Sequence, residues 1–307
     1  MLRKVGLIIC CWGAATLAVG DDDDVEGSHR DLPTHVGPLH EGGNFVSLSR
    51  GDHPGNRIGY RFHEHGPLIY GAPPEKGAGS QPDAVQALED EFAARPAVLV
   101  HKRPVREEGW CPQDWTYYIA PADDGFDLLW VVETMDAGLN EYYCAQQCFR
   151  MGGLTNSEWR RKIAETPAFS EYDLWTRQES RQEPLTSLSH VHSGGHWLAI
   201  PAVRENVGYR TTLGAVLDAG RTGGDLAKAG LEPYKPVFGD AVLDCGLIVR
   251  RSLDEQWVCG LYWERTTHVT NHHPADCLHA VVNLGPLAPH AKRAVRGKVY
   301  WMKATLD

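Results

Sequence analysis

Three groups of side chains in this chain have the types and spacing for chemistry. The first is His190-Val-His192-Ser-Gly-Gly-His196. On a strand, positions 190 and 192 share a face, and the Gly-Gly pair can turn the chain so that His196 comes round to them. Two imidazoles on one face plus a third make a candidate divalent-metal site, zinc or copper by ligand type. The same run also reads as a polar, histidine-rich loop between strands. The second group is Trp263-Glu264, His268, Asn271-His272-His273, Asp276 and His279. It follows an apolar strand and reads as a loop beside Cys277, and loops held on a rigid sheet are where binding residues concentrate. Here Trp263 would stack on a sugar ring. Glu264 would serve as acid, base or hydrogen-bond acceptor, with His279 as its proton-transfer partner, and Asn271 and His272 as ligand contacts. The plainer alternative is a surface ion pair of Glu264 with Arg265 and a simple turn at His272-His273-Pro274.

The third group lies on Tyr142–Met151. Period-two alternation places Tyr142, Cys144, Gln146, Cys148 and Arg150 on one face, and Tyr143, Ala145, Gln147 and Phe149 on the other. Gln147 and Arg150 are the candidate ligand contacts of a polar groove. The competing reading, a core strand with a hydrogen-bonded outer face, is the favoured one. No G-x-S-x-G elbow, H-E-x-x-H pair, P-loop or C-x-x-C pair occurs in the chain, which removes those hydrolase, phosphate-binding and zinc-ribbon classes.

The elements that must position these groups read mostly as strands. Ala97–His101, Trp115–Ala120, Phe126–Glu133, Tyr142–Met151, Leu188–His192, His196–Pro201, Ala241–Arg251, Gln256–Trp263, Leu278–Leu284 and Lys292–Lys303 are rich in aromatic and branched residues. Each is bounded by Pro, Asp or Gly. Ser252-Leu253-Asp254-Glu255 predicts a hairpin turn. A further strand is expected at Asn44–Leu48. Two short helices are expected. One runs from Pro82, suited to the first helical position, to about Ala94, with Val85, Leu88 and Phe92 on one face. The other, Ser157–Glu165, follows the capping box Thr155-Asn-Ser-Glu158. No strand–helix alternation is present, so the expectation is a mostly β protein, a large antiparallel β-sandwich with two short helices in a single domain over residues 44–307.

Residues 1–20 read as a cleavable signal peptide. Arg3 and Lys4 precede an apolar run that ends on Ala18-Val19-Gly20, in the order that export signals follow. Residues 21–43, starting with four aspartates, read as a flexible acidic leader. The expected location is secreted or periplasmic, with no membrane attachment after cleavage. Removing twenty residues from 307 leaves 287, and losing two cations takes the net charge from −10 to −12. A chain this acidic repels nucleic acid and anionic membrane surfaces. Hydrophobic content of 42% and ten tryptophans exclude a disordered protein. In an oxidising compartment Cys111, Cys144, Cys148, Cys245, Cys259 and Cys277 are disulfide candidates. Cys144 and Cys148 would be excluded from bridging each other, since a strand separates them by roughly 13 Å.

The stretches Gly246–Trp257, Gly260-Leu-Tyr-Trp-Glu264, Cys277-Leu-His279, Asn283-Leu-Gly-Pro-Leu-Ala-Pro289 and Arg296-Gly-Lys-Val-Tyr300 occur in order. Together with Glu141–Arg150 and Ala164–Trp175 they resemble a group of uncharacterised exported bacterial β-sandwich proteins. Their closing strands are similar to the supersandwich of galactose-mutarotase-like and polysaccharide-lyase domains. The resemblance implies a supersandwich-like fold and a carbohydrate partner. The mutarotase catalytic histidine and carboxylate find no matching positions, so no catalytic role is carried over. The function expected is therefore a carbohydrate-directed protein that binds, epimerises or cleaves a glycan in a polar, aromatic cleft. No cofactor is expected, with a divalent metal as an option. The alternatives are a non-catalytic interaction or structural module, and a histidine-site metal protein.

Overall fold

The computed structural model describes residues 34–40, 45–52, 57–61, 82–102, 113–139, 143–150, 189–200, 205–208, 237–252, 254–272 and 277–306. The expected signal peptide, Cys111 and the expected helix at 157–165 lie outside them. The described chain is mostly β, as expected. Its strands are β1 (Thr34–His40), β2 (Phe45–Arg50), β3 (Arg57–Arg61), β4 (Val98–Lys102), β5 (Gln113–Ala122), β6 (Gly125–Thr134), β7 (Cys144–Arg150) and β8 (Ser189–Ser193). These are followed by β9 (His196–Ala199), β10 (Glu205–Gly208), β11 (Val237–Val242), β12 (Leu247–Arg251), β13 (Trp257–Trp263), β14 (Thr266–His272), β15 (Cys277–Asn283) and β16 (Lys292–Lys303).

They form two eight-stranded sheets. The first runs β1-β2-β3-β7-β15-β14-β10-β11, and the second β4-β5-β6-β16-β13-β12-β8-β9. Every pairing is antiparallel except β10 with β11. One apolar core lies between the sheets. It joins Val46, Tyr60, Phe149, Leu278 and Val282 of the first to Trp115, Trp130, Ile248, Leu261 and Trp301 of the second. Burying each such large side chain is worth roughly 1.5–3 kcal/mol. A polar link also crosses the sandwich. The Tyr60 hydroxyl donates to Gln147 Oε1 at 2.6 Å within the first sheet, and Gln147 Nε2 donates across to the Tyr117 hydroxyl at 3.2 Å.

The single helix among the described residues, α1 (Pro82–Ala93), matches its expected span within one residue. Pro82 starts it, and Pro96 lies just beyond its end. Val85 and Phe92 are two turns apart on one face and pack on Ala120, Leu129 and Val131. The helix thereby covers one half of the outer face of the second sheet and leaves the other half to a different cluster.

Three expectations change. Residues 34–40 of the supposed leader are β1, paired with β2 from Thr34–Arg50 onward. The long strand expected at Ala241–Arg251 is two strands, because Leu243–Gly246 carries the chain from the first sheet to the second. The histidine-rich loop after Trp263 is largely strand β14. Thr266, Thr267, Val269 and Thr270 are β-branched and fit a pleated, buried surface.

Candidate functional site

The placement of the sequence candidates follows from this register. Trp263 is 1% exposed. Its indole meets Trp130 edge to face at 5.9 Å inside the core, so it cannot stack on a sugar. Glu264 is exposed at the corner where β13 passes into β14. Its carboxylate accepts the main-chain N–H of Arg296 at 3.3 Å. His279 is buried in mid-strand and paired with Thr270. Thr266 to Thr270 alone spans about 13 Å of strand, so Glu264 and His279 do not form a proton-transfer pair. Asn271 and His272 close β14, paired in the backbone with Leu278 and Cys277. The convergence of Trp263, Glu264 and His279 on one cleft is thereby overturned. The reason is that β13 points its odd residues inward while the chain switches sheets immediately afterwards.

Gln147 is fully buried and held between two tyrosine hydroxyls. It is a strut of the core and not a ligand contact. Arg150 ends β7, its backbone paired with Cys277 and Gly59. Cys144, Cys148, Cys245 and Cys259 are free thiols, which corrects the disulfide reading for these four. Cys144 and Cys148 both lie on the strand β7, as the argument against their pairing requires. Cys277 enters as a backbone position of β15.

The three-histidine metal set does not form. His192 pairs with Trp197, and Ser193 with His196. Paired residues share a face and neighbours alternate, so His196 points away from the face that carries His190 and His192. Its Nδ1 lies 3.0 Å from the carbonyl of Gly194. Among the described residues, no three or more His, Cys, Asp or Glu side chains gather as a metal site.

The same hairpin nevertheless builds something. Gly194 and Gly195 both take positive φ, 61° and 84°, the geometry of a two-residue hairpin turn. Their N–H groups donate to the Asp244 carboxylate at 3.1 and 2.8 Å. That carboxylate also meets His192 Nδ1 at 2.9 Å. The Gly195 N–H chiefly, with that of Gly194 and the His192 ring, holds the Asp244 carboxyl below its usual range against the opposing effect of desolvation. A carboxylate fixed from two sides orients the imidazole, whose ring edge rests on Trp197 at 5.4 Å.

Beyond this dyad runs a half-buried aromatic strip, the part of the second sheet's outer face that α1 leaves free. Trp197, Cys245, Tyr262 and Tyr300 surround Leu247, Val249 and Val258, and Ala304 and Leu306 close one end. Tyr300 pairs with Gly260, and Tyr262 with Lys298, so the two phenols lie diagonally across Gly260, against which Val249 and Leu247 pack. Lys298 closes the strip at the other end, between Asp124 at 2.5 Å and Asp127 at 2.7 Å. Burial pushes the Tyr300 hydroxyl up to about 12 and also raises that of Tyr262. Both stay neutral hydrogen-bonding groups. Burial likewise raises the Cys245 thiol, which is therefore no activated nucleophile. Among the described residues, no second carboxylate faces Asp244 to make an acid–base pair.

Sequence reasoning missed Tyr262, Tyr300, Trp197 and Asp244. Alternation along Trp257–Trp263 separates Tyr262 from Trp263, but both faces of that strand are apolar. The pattern alone does not say which face is the interior.

No family model matches the chain, and no curated protein matches it in sequence. Among solved structures, the ligand-free alpha-N-acetylgalactosaminidase NagBb from Bifidobacterium bifidum is similar over 89% of this chain and 35% of that chain, with 12% identity and a TM-score of 0.32. The chain spans about a third of that enzyme, and a likeness this slight bears on neither the activity nor the substrate of this protein.

Proposed function

We propose that this protein is an exported carbohydrate-binding β-sandwich whose ligand lies along the outer face of the second sheet. Trp197, Tyr262 and Tyr300 supply ring faces, and Asp244, His192 and the two phenols supply hydrogen bonds. The observation that carries the reading is the diagonal pair of tyrosines across Gly260. Half-buried rings with polar edges suit a ligand that is apolar on its C–H face and polar at its hydroxyls. The neutral phenols and the acidic chain favour an uncharged saccharide over nucleic acid. The export signal puts the protein where glycans are found. Binding, and not cleavage, is the activity proposed, because the carboxylates at the strip are already engaged, Asp244 by Gly194, Gly195 and His192 and the Asp124–Asp127 pair by Lys298.

A glycan array followed by calorimetry tests the proposal. The wild type should retain a defined saccharide. The Tyr262→Ala and Tyr300→Ala variants should each bind it about tenfold more weakly with their fold intact. Failure of the wild type to retain any glycan favours the structural-module reading, as does wild-type affinity in both variants.

A further inference from the structure

Arg265 and Arg293 bring two guanidinium groups to one main-chain oxygen. Arg265 takes a left-handed φ of 61° at the β13–β14 corner. Its Nε donates to the Asn283 carbonyl at 2.7 Å and its Nη2 to the Gly285 carbonyl at 2.6 Å. Arg293, buried near the start of β16, donates from Nη1 to the same Gly285 carbonyl at 2.8 Å and from Nη2 to that of Pro286 at 2.7 Å. The two charged nitrogens on Gly285 thus lie no further apart than those two distances combined.

Carbonyl oxygens orient both guanidinium groups, and holding two like charges this close has a cost. The cost is visible in Arg293, pushed down to about 10 by burial and then by the neighbouring Arg265. Burial lowers Arg265 as well. Among the described residues no carboxylate pairs with Arg265, and its neighbour Glu264 turns to the Arg296 backbone instead. Arg265 is exposed, and its Nη1 is the terminal nitrogen that neither carbonyl engages. A chain of net charge −10 therefore concentrates two cations at this one corner.

We infer that Arg265, backed by Arg293, forms an oxyanion site that takes the carboxylate or sulfate group of an acidic ligand. The site lies at the corner between the sheets and stands independently of the aromatic strip. A planar guanidinium fixed through two of its nitrogens presents its remaining edge in a set direction, as bidentate recognition of carboxylate and sulfate requires.

Titration calorimetry on the full chain tests this, with sodium sulfate and sodium acetate measured against sodium chloride at matched ionic strength. The wild type should bind one of the two oxyanions saturably, and the preferred one separates a sulfate from a carboxylate source. Arg265→Gln should weaken that binding at least about tenfold, Arg265→Lys should weaken it partly, and Lys303→Gln should leave it unchanged. No saturable binding of either oxyanion overturns the inference, as does an equal loss in Lys303→Gln. Arg265→Lys keeps the charge and decides the matter if Arg265→Gln does not fold: affinity equal to the wild type's overturns the site.

Discussion

The indole of Trp263 lies against Gly297, its partner across the β13–β16 ladder. A Cβ placed on Gly297 would sit 2.6 Å from the ring carbons Cδ2 and Cε3, well inside contact distance. Trp130 also packs edge to face with the indole at 5.9 Å, which restricts where the ring can move. The glycine is there to admit the tryptophan, and Trp263 serves the core. Gly297→Ala should therefore destabilise the fold by about 1–3 kcal/mol. Urea unfolding should show it as a lower midpoint at an unchanged slope, and an unaltered midpoint would mean that the ring moves aside freely.

Gln147 joins two tyrosine hydroxyls from opposite sheets. Gln147→Leu keeps the volume and removes both bonds, which should cost about 1–3 kcal/mol. Tyr117→Phe removes only the longer one and should cost less. The ordering of the two variants in thermal unfolding is the check. Equal losses would show that the Tyr60 bond contributes little.

His268 is fully buried on β14, and burial pulls its imidazole down to about 3. The unfolded chain then binds a proton that the native state refuses between about pH 6.5 and pH 3. Stability is present above that window and is lost as pH falls through it, by about 1.4 kcal/mol per pH unit. In His268→Gln the unfolding free energy should fall less steeply between pH 6.5 and 5. A slope identical to the wild type's would remove His268 as its source.

The thiols should react in an order set by burial. Cys245 is half-buried, whereas Cys144, Cys148 and Cys259 are enclosed, with the Cys144 thiol pushed up to about 12 by burial. A thiol reagent at neutral pH followed by peptide mapping should label Cys245 first and the other three only on unfolding. Recovery of Cys144 or Cys259 in a disulfide from native protein would contradict the free-thiol structure.

The sequence by itself determined the class of this fold and most of its strands. Lys292–Lys303 and the Ser252–Glu255 turn could be read directly, because period-two patterning and turn residues are local signals. Pro82, Val85 and Phe92 marked the helix for the same reason. The helix–strand difference is written in neighbouring residues, and so it survives without any knowledge of partners.

Only the tertiary structure decided which face of each strand is inside. Trp263 and Tyr262 are adjacent, similar in character and equally able to meet a sugar, yet one is core and the other lies on the outer strip. That choice depends on Gly297 opposite Trp263, a position tens of residues away in the chain. The histidine group failed for the same cause. Residues 190, 192 and 196 are close in sequence, but a two-residue turn makes Ser193, not His192, the partner of His196. A shift of one residue in pairing reverses a side chain's face, and register is a property of two strands together. The corner where Arg265 meets Arg293 likewise exists only because β13 and β14 belong to different sheets.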